Sequence, residues 1–399
     1  MKYFALVLIF FLSLLFPKPT EKPTSDAHLE IDFYPTDHIY PYSLKGPGSP
    51  AELYSLVLQN IAIKNPEAEN YEIETIELIA KKDGNIHLRK SLQKEELETK
   101  AKVLLQYQEL GYLDLYDFQF QTKSLLEEYK LSPDLILSEN EALLITKQAL
   151  VLDMEVDELG IEIHYRDSEG NSFSTFESLN VSTHKSPNNY HFPLKGSWFV
   201  GGAPNLHSHH RWGIIQEFAY DFVQLGEGTK DHKGDGSKLA DYYCYGKEIL
   251  SIAQGKVVKI REGDEESDEN LRQPGESVEA WTQRSMQRQQ TLLSKGFEGA
   301  LGNYVIIEHA GGEFSYYLHL QKNSVAVKEG DVVERGQQIG RVGHSGNSEA
   351  PHLHFHLADS PDPAHSRSLP IHFENIESWP EGAHADAIQY GHIITAKEK

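Results

Sequence analysis

The segment PHLHFHL, residues 351–357, places three histidines at every second position, with leucine or phenylalanine between them. In a β-strand, side chains two residues apart lie on one face, roughly 7 Å from each other. We therefore expect His352, His354 and His356 to share one face of a strand while the apolar residues pack into a core. One or two of these imidazoles could bind a metal, since a catalytic zinc site has three protein ligands and an open position for water.

Two further segments contain residues that could complete such a site. NLHSHHRWGIIQEFAYDF, residues 205–222, has three histidines followed by Asp221 between two aromatic residues. A carboxylate in apolar surroundings is costly to bury unpaired, and a cation would offset that cost. YYLHL, residues 316–320, places His319 within an apolar strand. A turn aspartate and a core histidine are the ordinary explanations, but three such clusters in one β-rich region favour a metal site.

Composition limits the class of protein. A chain of 399 residues predicts two or three domains. It has 60 acidic and 37 basic residues, a formal net charge of -23, which disfavours nucleic acid as a partner. The single cysteine, Cys244, cannot form an intrachain disulfide and is expected to be a small buried residue.

The first residues predict export across a membrane. Residues 1–16 contain Lys2 and then an almost unbroken apolar run, which is the length of a signal-peptide core and short for a membrane span. We interpret them as a signal peptide or, if uncleaved, a membrane anchor that would be the only contact with the membrane. Residues 17–30 are polar and proline-rich and predict a linker.

Residues 31–185 predict an N-terminal β-rich domain. LYSLVLQNIAI (53–63) and YEIETIELIAKK (71–82) have strand patterns, as have the apolar runs between residues 134 and 176. Residues 92–129 have helical spacing that stops at Gly111. The expected fold is a β-sandwich with a helical insertion, and its role is that of a spacer or binding module.

After a connector at residues 186–195, residues 196–380 predict a second, antiparallel β domain with glycine turns. Residues 263–299 interrupt its strands with a long segment that is acidic, then basic, and partly helical in pattern. Because long loops are usually functional or mobile, we expect this insertion to border the cleft and to restrict access or select the substrate. Residues 381–399 predict a C-terminal tail.

The region from about residue 196 to 374 resembles the lysostaphin-type zinc metallopeptidases, murein endopeptidases built on a duplicated-hybrid-motif β-barrel. The resemblance depends on HHRWGIIQEFAYDF, the strand pair GNYVIIEH and YYLHL, the turn GHSGNS, and PHLHF. KEGDVVERGQQIGRVG is similar to the hairpin that precedes the turn. The spacing of eleven between His210 and Asp221, wider than in the best-known members, and the segment HLADSPDPAHSRSLPIHFE are similar to a divergent, exported branch.

The resemblance implies a role for each residue of the motifs. His210, Asp221 and His354 would hold zinc, with His207 and His209 as alternatives for the first ligand. His319 and His352 would flank the open coordination position, one as the base and the other as the donor to the oxyanion, in an order that the sequence does not decide. For His356 the resemblance implies no role, and a place at the surface or behind the ligands is expected.

The implied function is that of an exported zinc metalloendopeptidase, located in the periplasm, in the cell envelope or outside the cell. Its substrate would be the peptide part of bacterial peptidoglycan, with a protein substrate as an alternative. A different class of function is a non-catalytic zinc-binding scaffold, or an activator of other cell-wall hydrolases. The presence of all five residues, His210, Asp221, His319, His352 and His354, favours catalysis.

Overall fold

The computed structural model describes residues 27–34, 38–44, 52–380 and 388–397. The predicted signal or anchor segment and most of the predicted linker lie outside these residues. Within the described ranges no helix is long and apolar enough to cross a membrane.

Two sheets form the N-terminal part of the chain. The first has the strand order β1-β4-β9-β7, with β3 paired to β4, and the second has the order β2-β11-β10-β5-β6, with β8 paired to β5. The strands are β1 (Glu30–Tyr34), β2 (His38–Ile39), β3 (Tyr42–Ser43), β4 (Tyr54–Asn65), β5 (Tyr71–Lys82), β6 (Asn85–Ser91), β7 (Lys130–Leu131), β8 (Ile136–Leu137), β9 (Glu141–Leu152), β10 (Glu158–Arg166) and β11 (Ser172–Val181).

The two sheets bury one shared hydrophobic core, an arrangement of the kind that the sequence predicted. Ile63 of β4 and Ile145 of β9 pack in the same cluster as Ile73 of β5 and Ile161 of β10. Strand β4 is buried on both faces, which explains its nearly continuous apolar sequence.

Helices occupy the region where the sequence has helical spacing. Four helices lie between β6 and β7, and they pack through three leucines and Phe120 against β4 and β9 in a separate apolar cluster. The longest ends before Gly111, whose φ of 72° is a conformation that glycine adopts without strain. The helices are α1 (Lys94–Glu109), α2 (Tyr112–Leu115), α3 (Asp117–Phe120) and α4 (Lys123–Glu128).

The C-terminal part is a second, antiparallel β unit, as expected. Its main ladder has the order β18-β15-β16-β17-β20-β13-β12-β23-β22, with β21 paired to β20, and the strands β14 and β19 form a separate pair. The strands are β12 (Ser197–Gly202), β13 (Tyr220–Val223), β14 (Glu248–Leu250), β15 (Gly255–Arg261), β16 (Asn303–His309), β17 (Glu313–Leu320), β18 (Val332–Val333), β19 (Gln338–Arg341), β20 (Leu353–Ala358), β21 (Ser368–Leu369), β22 (Ile376–Trp379) and β23 (Ile393–Ala396).

The insertion is partly helical, as its pattern indicated, whereas the segment expected to be a tail is part of the sheet. The 263–299 insertion contains α5 (Val278–Leu293) and the start of α6 (Phe297–Leu301). The segment expected to be a tail contributes β23, which pairs with both β12 and β22 and therefore belongs to the sheet.

The N-terminal part packs directly on the C-terminal part. Tyr40 and Tyr42 extend into the C-terminal core. Arg211 donates to the carbonyl of Ser55 on β4 at 2.9 Å, and the side chain of Gln59 donates to the Arg211 carbonyl at 3.0 Å. Strand β4 therefore supports the segment that includes the neighbouring His210.

The connector between the two parts is fastened to β17 by a buried carboxylate. Glu313 accepts hydrogen bonds from His184, Ser186, Asn188 and Tyr190. Burial alone would raise the pKa of Glu313, but these four hydrogen bonds lower the pKa to about 2. Because the folded pKa lies below the unfolded value, Glu313 stabilises the fold above about pH 4.5 and loses this contribution as the pH falls toward 2.

We expect Glu313→Gln to destabilise the protein by roughly 3 kcal/mol at pH 7, because it removes a buried carboxylate whose pKa is lowered to about 2 by its hydrogen bonds. The measurement is urea denaturation of variant and wild type at pH 7 and pH 3. The difference between them should shrink at the lower pH. Glu308→Gln, an exposed glutamate on the adjacent β16, is the control. Equal destabilisation at both pH values would contradict the assignment.

Candidate metal centre and active site

Strand β20 presents its side chains as the sequence predicted. Leu353, Phe355 and Leu357 are fully buried in the C-terminal core. His354 faces the opposite side, opposite Asp221 of the adjacent strand β13. The alternating pattern therefore places an imidazole and a carboxylate side by side across two antiparallel strands.

Asp221 lies between two histidines. One carboxylate oxygen, Oδ1, is 3.0 Å from Nδ1 of His354, and the other, Oδ2, is 3.2 Å from Nε2 of His210. Burial alone would raise the pKa of Asp221, but the charges of His210 and His352 and the contact with His354 hold that pKa well below its usual range. The carboxylate is therefore ionised and can bind a cation.

His210 lies in a 3₁₀ turn, His210–Trp212, and is completely buried. Neither of its ring nitrogens has an aligned hydrogen-bond partner, although Nε2 is close to Asp221. A buried polar atom without a partner costs about 1 to 3 kcal/mol. This donor set, two imidazoles around one carboxylate with an unsatisfied ring nitrogen, fits a transition-metal ion such as zinc.

His319 and His352 lie beside this group, with their ring centroids 5.0 Å apart. Nδ1 of His319 is 2.9 Å from the carbonyl of Ser345, and Nδ1 of His352 is 2.8 Å from the carbonyl of Ala350. A carbonyl oxygen only accepts, so each Nδ1 carries the proton and each Nε2 retains a free lone pair. Both rings are therefore arranged to accept a proton at Nε2.

The backbone of His319 is itself unusual. Its φ is 62°, in the left-handed region, although β17 is otherwise extended. Such a conformation costs of order 1 to 3 kcal/mol and is typical of functional sites. Burial, followed by the nearby His352 and His354, keeps the pKa of His319 well below its ordinary value, so the ring is neutral.

His356 is not at the surface, so that alternative is wrong. It is 4% exposed, stacks on Tyr316 and places Nδ1 at 3.2 Å from Nε2 of His354. Burial holds its pKa well below the ordinary value. The register of β17 against β20, with Tyr316 opposite His356, brings these rings together and could not be read from the chain.

The two alternatives for the first ligand have different positions. The ring of His209 is 4.2 Å from that of His210, and its nitrogens are close enough to Asp221 to belong to a group that could hold a metal. His209 is exposed, unlike His210, although partial desolvation and the neighbouring histidines lower its pKa to about 4. His207 is exposed and, in the part of the chain that the structure describes, belongs to no such group.

Cys244 is buried, as expected, and its thiol donates to the carbonyl of Pro351, next to the histidine strand. Burial raises the pKa of this thiol to about 12, so it remains protonated. It therefore has the properties of a structural residue.

The histidine cluster lies in a cleft of about 600 Å³. One wall comes from the 263–299 insertion, so the expectation that the insertion borders the cleft is confirmed. A second wall comes from α3 of the N-terminal part, where Phe118 stacks on Phe297 of α6 with ring centroids 4.2 Å apart. Outside the histidine cluster, the lining includes Phe118, Gln119, Gln289, Leu293, Phe297 and Glu349.

A cleft that ends at imidazoles around one carboxylate, on an antiparallel β scaffold, is typical of metal-dependent hydrolases. Residues 235–365 match the model of Peptidase family M23, so the chain contains a peptidase domain of that family. The matched range includes His319, His352 and His354 and begins after His210 and Asp221.

Several known proteins are similar to parts of this chain. Peptidoglycan DD-endopeptidase ShyB of Vibrio cholerae is 34% identical over 100 residues, 25% of this chain and 23% of that protein. Peptidoglycan DD-endopeptidase ShyA of the same organism is 48% identical over 56 residues, 14% of this chain and 13% of that protein. The chain thus matches less than a quarter of the length of each relative.

Solved structures are also similar. A zinc containing peptidase from Vibrio cholerae is 13% identical, with a TM-score of 0.25, over 83% of this chain and 87% of that chain. The catalytic domain of lysostaphin from Staphylococcus simulans is 19% identical, with a TM-score of 0.24, over 44% of this chain and 88% of that chain.

Proposed function

We propose that this protein is an exported zinc metalloendopeptidase that hydrolyses peptide bonds in bacterial peptidoglycan. The observation that carries the proposal is the position of Asp221 between His210 and His354, with both ring nitrogens of His210 buried and unsatisfied. The substrate class follows from the similar proteins, whose names describe peptidoglycan endopeptidases.

Zinc would be held by Nε2 of His210, the carboxylate of Asp221 and Nδ1 of His354. With Nδ1 of His354 as a ligand atom, its Nε2 carries the proton and donates to Nδ1 of neutral His356. We therefore assign His356 the role of orienting His354. A zinc ion held by these residues would supply Lewis acidity, which would polarise the scissile carbonyl and lower the pKa of a bound water toward about 7.

His319 and His352 would handle the proton and the developing negative charge. Each has Nδ1 committed to a backbone carbonyl, so Nε2 is the atom that faces the reaction. One neutral ring would take the proton from the attacking water at Nε2 and later pass it to the leaving amine. The other ring would donate to the tetrahedral oxyanion after taking up a proton from solvent at its own Nε2. Both rings carry their proton on Nδ1, so their hydrogen bonds do not distinguish the base from the oxyanion donor.

The cleft suits an uncharged or cationic peptide. In the described residues, no lysine or arginine lines it, and its charged side chains are Asp221 and Glu349. This composition, with the net charge of -23, disfavours phosphate-bearing substrates and nucleic acid. The location we propose is the periplasm, the cell envelope or the medium, which follows from the apolar segment at residues 1–16.

The proposal is tested by digesting purified peptidoglycan with the protein and identifying the new termini by mass spectrometry. We expect new amino and carboxyl termini within the peptide, lost with a chelator and restored by zinc. An unfolded protein such as casein, digested in parallel, tests the alternative of a protein substrate. A non-catalytic scaffold or activator would bind peptidoglycan and zinc and release no fragment.

Gly202 leads to a prediction about metal affinity. An added Cβ would lie 2.5 Å from Oδ2 of Asp221 and 2.8 Å from Cε1 of His210, so Gly202→Ala must displace two of the proposed ligands. We expect zinc affinity to fall about 10- to 100-fold, as for other changes that disturb ligand orientation. The measurement is competition with a chelating indicator.

Gly201→Ala is the matched control, because its Cβ would only make ordinary contacts, 3.8 Å or more from other atoms. Its zinc affinity should equal that of the wild type. If Gly202→Ala also binds zinc normally, the ion is held elsewhere.

A further inference from the structure

The 263–299 insertion is attached to the turn that precedes the histidine strand. Arg288 of α5 donates from one guanidinium nitrogen to the carbonyl of Gly346 at 2.5 Å and to the carbonyl of Ser348 at 2.8 Å. Both acceptors belong to the turn at residues 343–350 and lie 58 and 60 residues beyond Arg288 in the chain. Arg288 is half-buried, so these charge-assisted bonds are partly shielded from water.

The same turn holds both histidines that flank the proposed metal site. The carbonyl of Ser345 accepts from His319, and the carbonyl of Ala350 accepts from His352. The residues that Arg288 binds, Gly346 and Ser348, lie between these two acceptors. A shift of the turn would therefore move the two carbonyls that orient these imidazoles.

Other contacts also hold this turn, but they involve different atoms from those that Arg288 binds. Gly302 packs so tightly against the turn that an added Cβ on Gly346 would lie 2.4 Å from the Gly302 nitrogen. Asn347 donates its backbone N–H to the carbonyl of Ala300 at 2.8 Å. These contacts are made on the side of the turn nearest α6. Arg288 instead binds the carbonyls of Gly346 and Ser348 from α5. Lysine keeps the charge and enough N–H donors for both carbonyls but lacks the planar guanidinium, so it should reproduce the contact only in part.

We propose that Arg288 is a positioning residue for the reaction: it holds the 343–350 turn so that His319 and His352 both present Nε2 to the substrate. This inference rests on the proposed function. It gives the 263–299 insertion a second role besides bordering the cleft, since its helix supports the residues that move the proton.

The test compares Arg288→Met and Arg288→Lys with wild type in peptidoglycan-peptide hydrolysis. We expect kcat to fall about tenfold to hundredfold in Arg288→Met, the effect of misplacing a reacting group by about 1 Å, with KM within about twofold of wild type. Arg288→Lys should retain an intermediate kcat. Both variants should keep one zinc per chain. In Arg288→Ala, millimolar guanidinium should restore part of the lost kcat, which a merely structural role does not predict.

Arg284→Met is the matched control. Arg284 lies one turn earlier on α5 and bonds only within the insertion, to Glu276 and to the carbonyls of Glu269 and Leu271. It should keep its kcat within about twofold. An equal loss of kcat in Arg284→Met would mean that the fold of the insertion matters and not the contact with the turn, and would overturn the proposal.

Hydrogen exchange gives a readout that does not need activity. Peptides that cover residues 343–352 should exchange faster in Arg288→Met than in wild type and in Arg284→Met. If wild type does not hydrolyse peptidoglycan, the proposed function fails while the exchange result still decides whether Arg288 holds the turn. If wild type is active and Arg288→Met has normal kcat and normal exchange, the present inference fails alone.

Discussion

Asp221→Ala is expected to lose zinc and, with it, all peptidase activity. The Asp221 carboxylate contacts both other proposed ligands, and its pKa is held well below its usual range, so it supplies the negative charge of the site. The loss of affinity should exceed the 10- to 100-fold that changes behind the ligands cause. Metal analysis after dialysis, together with hydrolysis of peptidoglycan, measures both effects.

Asp231→Ala provides a control for the loss of an aspartate. Asp231 also pairs with a histidine, His232 at 2.6 Å, but it belongs to none of the groups that could hold a metal among the described residues. It should retain one zinc and full activity. If Asp221→Ala keeps zinc at wild-type affinity, the proposed ligand set is wrong.

His352→Ala is expected to separate binding from catalysis. His352 is not among the three proposed ligands; its Nδ1 donates to the Ala350 carbonyl, and its Nε2 lies 3.5 Å from Oδ1 of Asp221. Removing a group that transfers a proton typically lowers the rate about 10²- to 10⁴-fold. We therefore expect one zinc per chain, an unchanged fold and a kcat reduced by that factor.

The control for this variant is His365→Ala, because His365 is exposed and lies outside the cleft lining. It should behave like wild type in all three measurements. A protein that only binds zinc or activates other hydrolases predicts that His352→Ala changes none of its properties. Loss of zinc in His352→Ala would instead show that His352 is a ligand.

Features that depend on one helix or strand alone could be predicted from the sequence. The alternation in PHLHFHL depends only on the period of a strand, so it predicted which side of β20 faces the core. The helical spacing at 92–129 and the strands at 53–63 and 71–82 are equally local, and the structure contains α1–α4, β4 and β5 at these positions. The family motifs led to the resemblance that the peptidase M23 match supports.

Contacts between segments that are far apart in the chain could not be predicted from the sequence. His356 meets His354 because of how β20 pairs with β17, and Arg288 meets the 343–350 turn because α5 folds back over the cleft. Likewise, β23 was expected to be a tail because four residues carry little pattern of their own, and one of their two partner strands, β12, lies nearly 200 positions earlier. The domain boundaries and the ligand set stay predictions of the sequence.

The central claim is that one divalent ion binds between His210, Asp221 and His354. The most direct measurement is anomalous diffraction at the zinc absorption edge from crystals of the zinc-loaded protein. We predict one strong peak within coordination distance, about 2.0 to 2.2 Å, of Nε2 of His210, an Asp221 carboxylate oxygen and Nδ1 of His354. A peak coordinated by other residues, or no peak in this cleft at saturating zinc, would contradict the account.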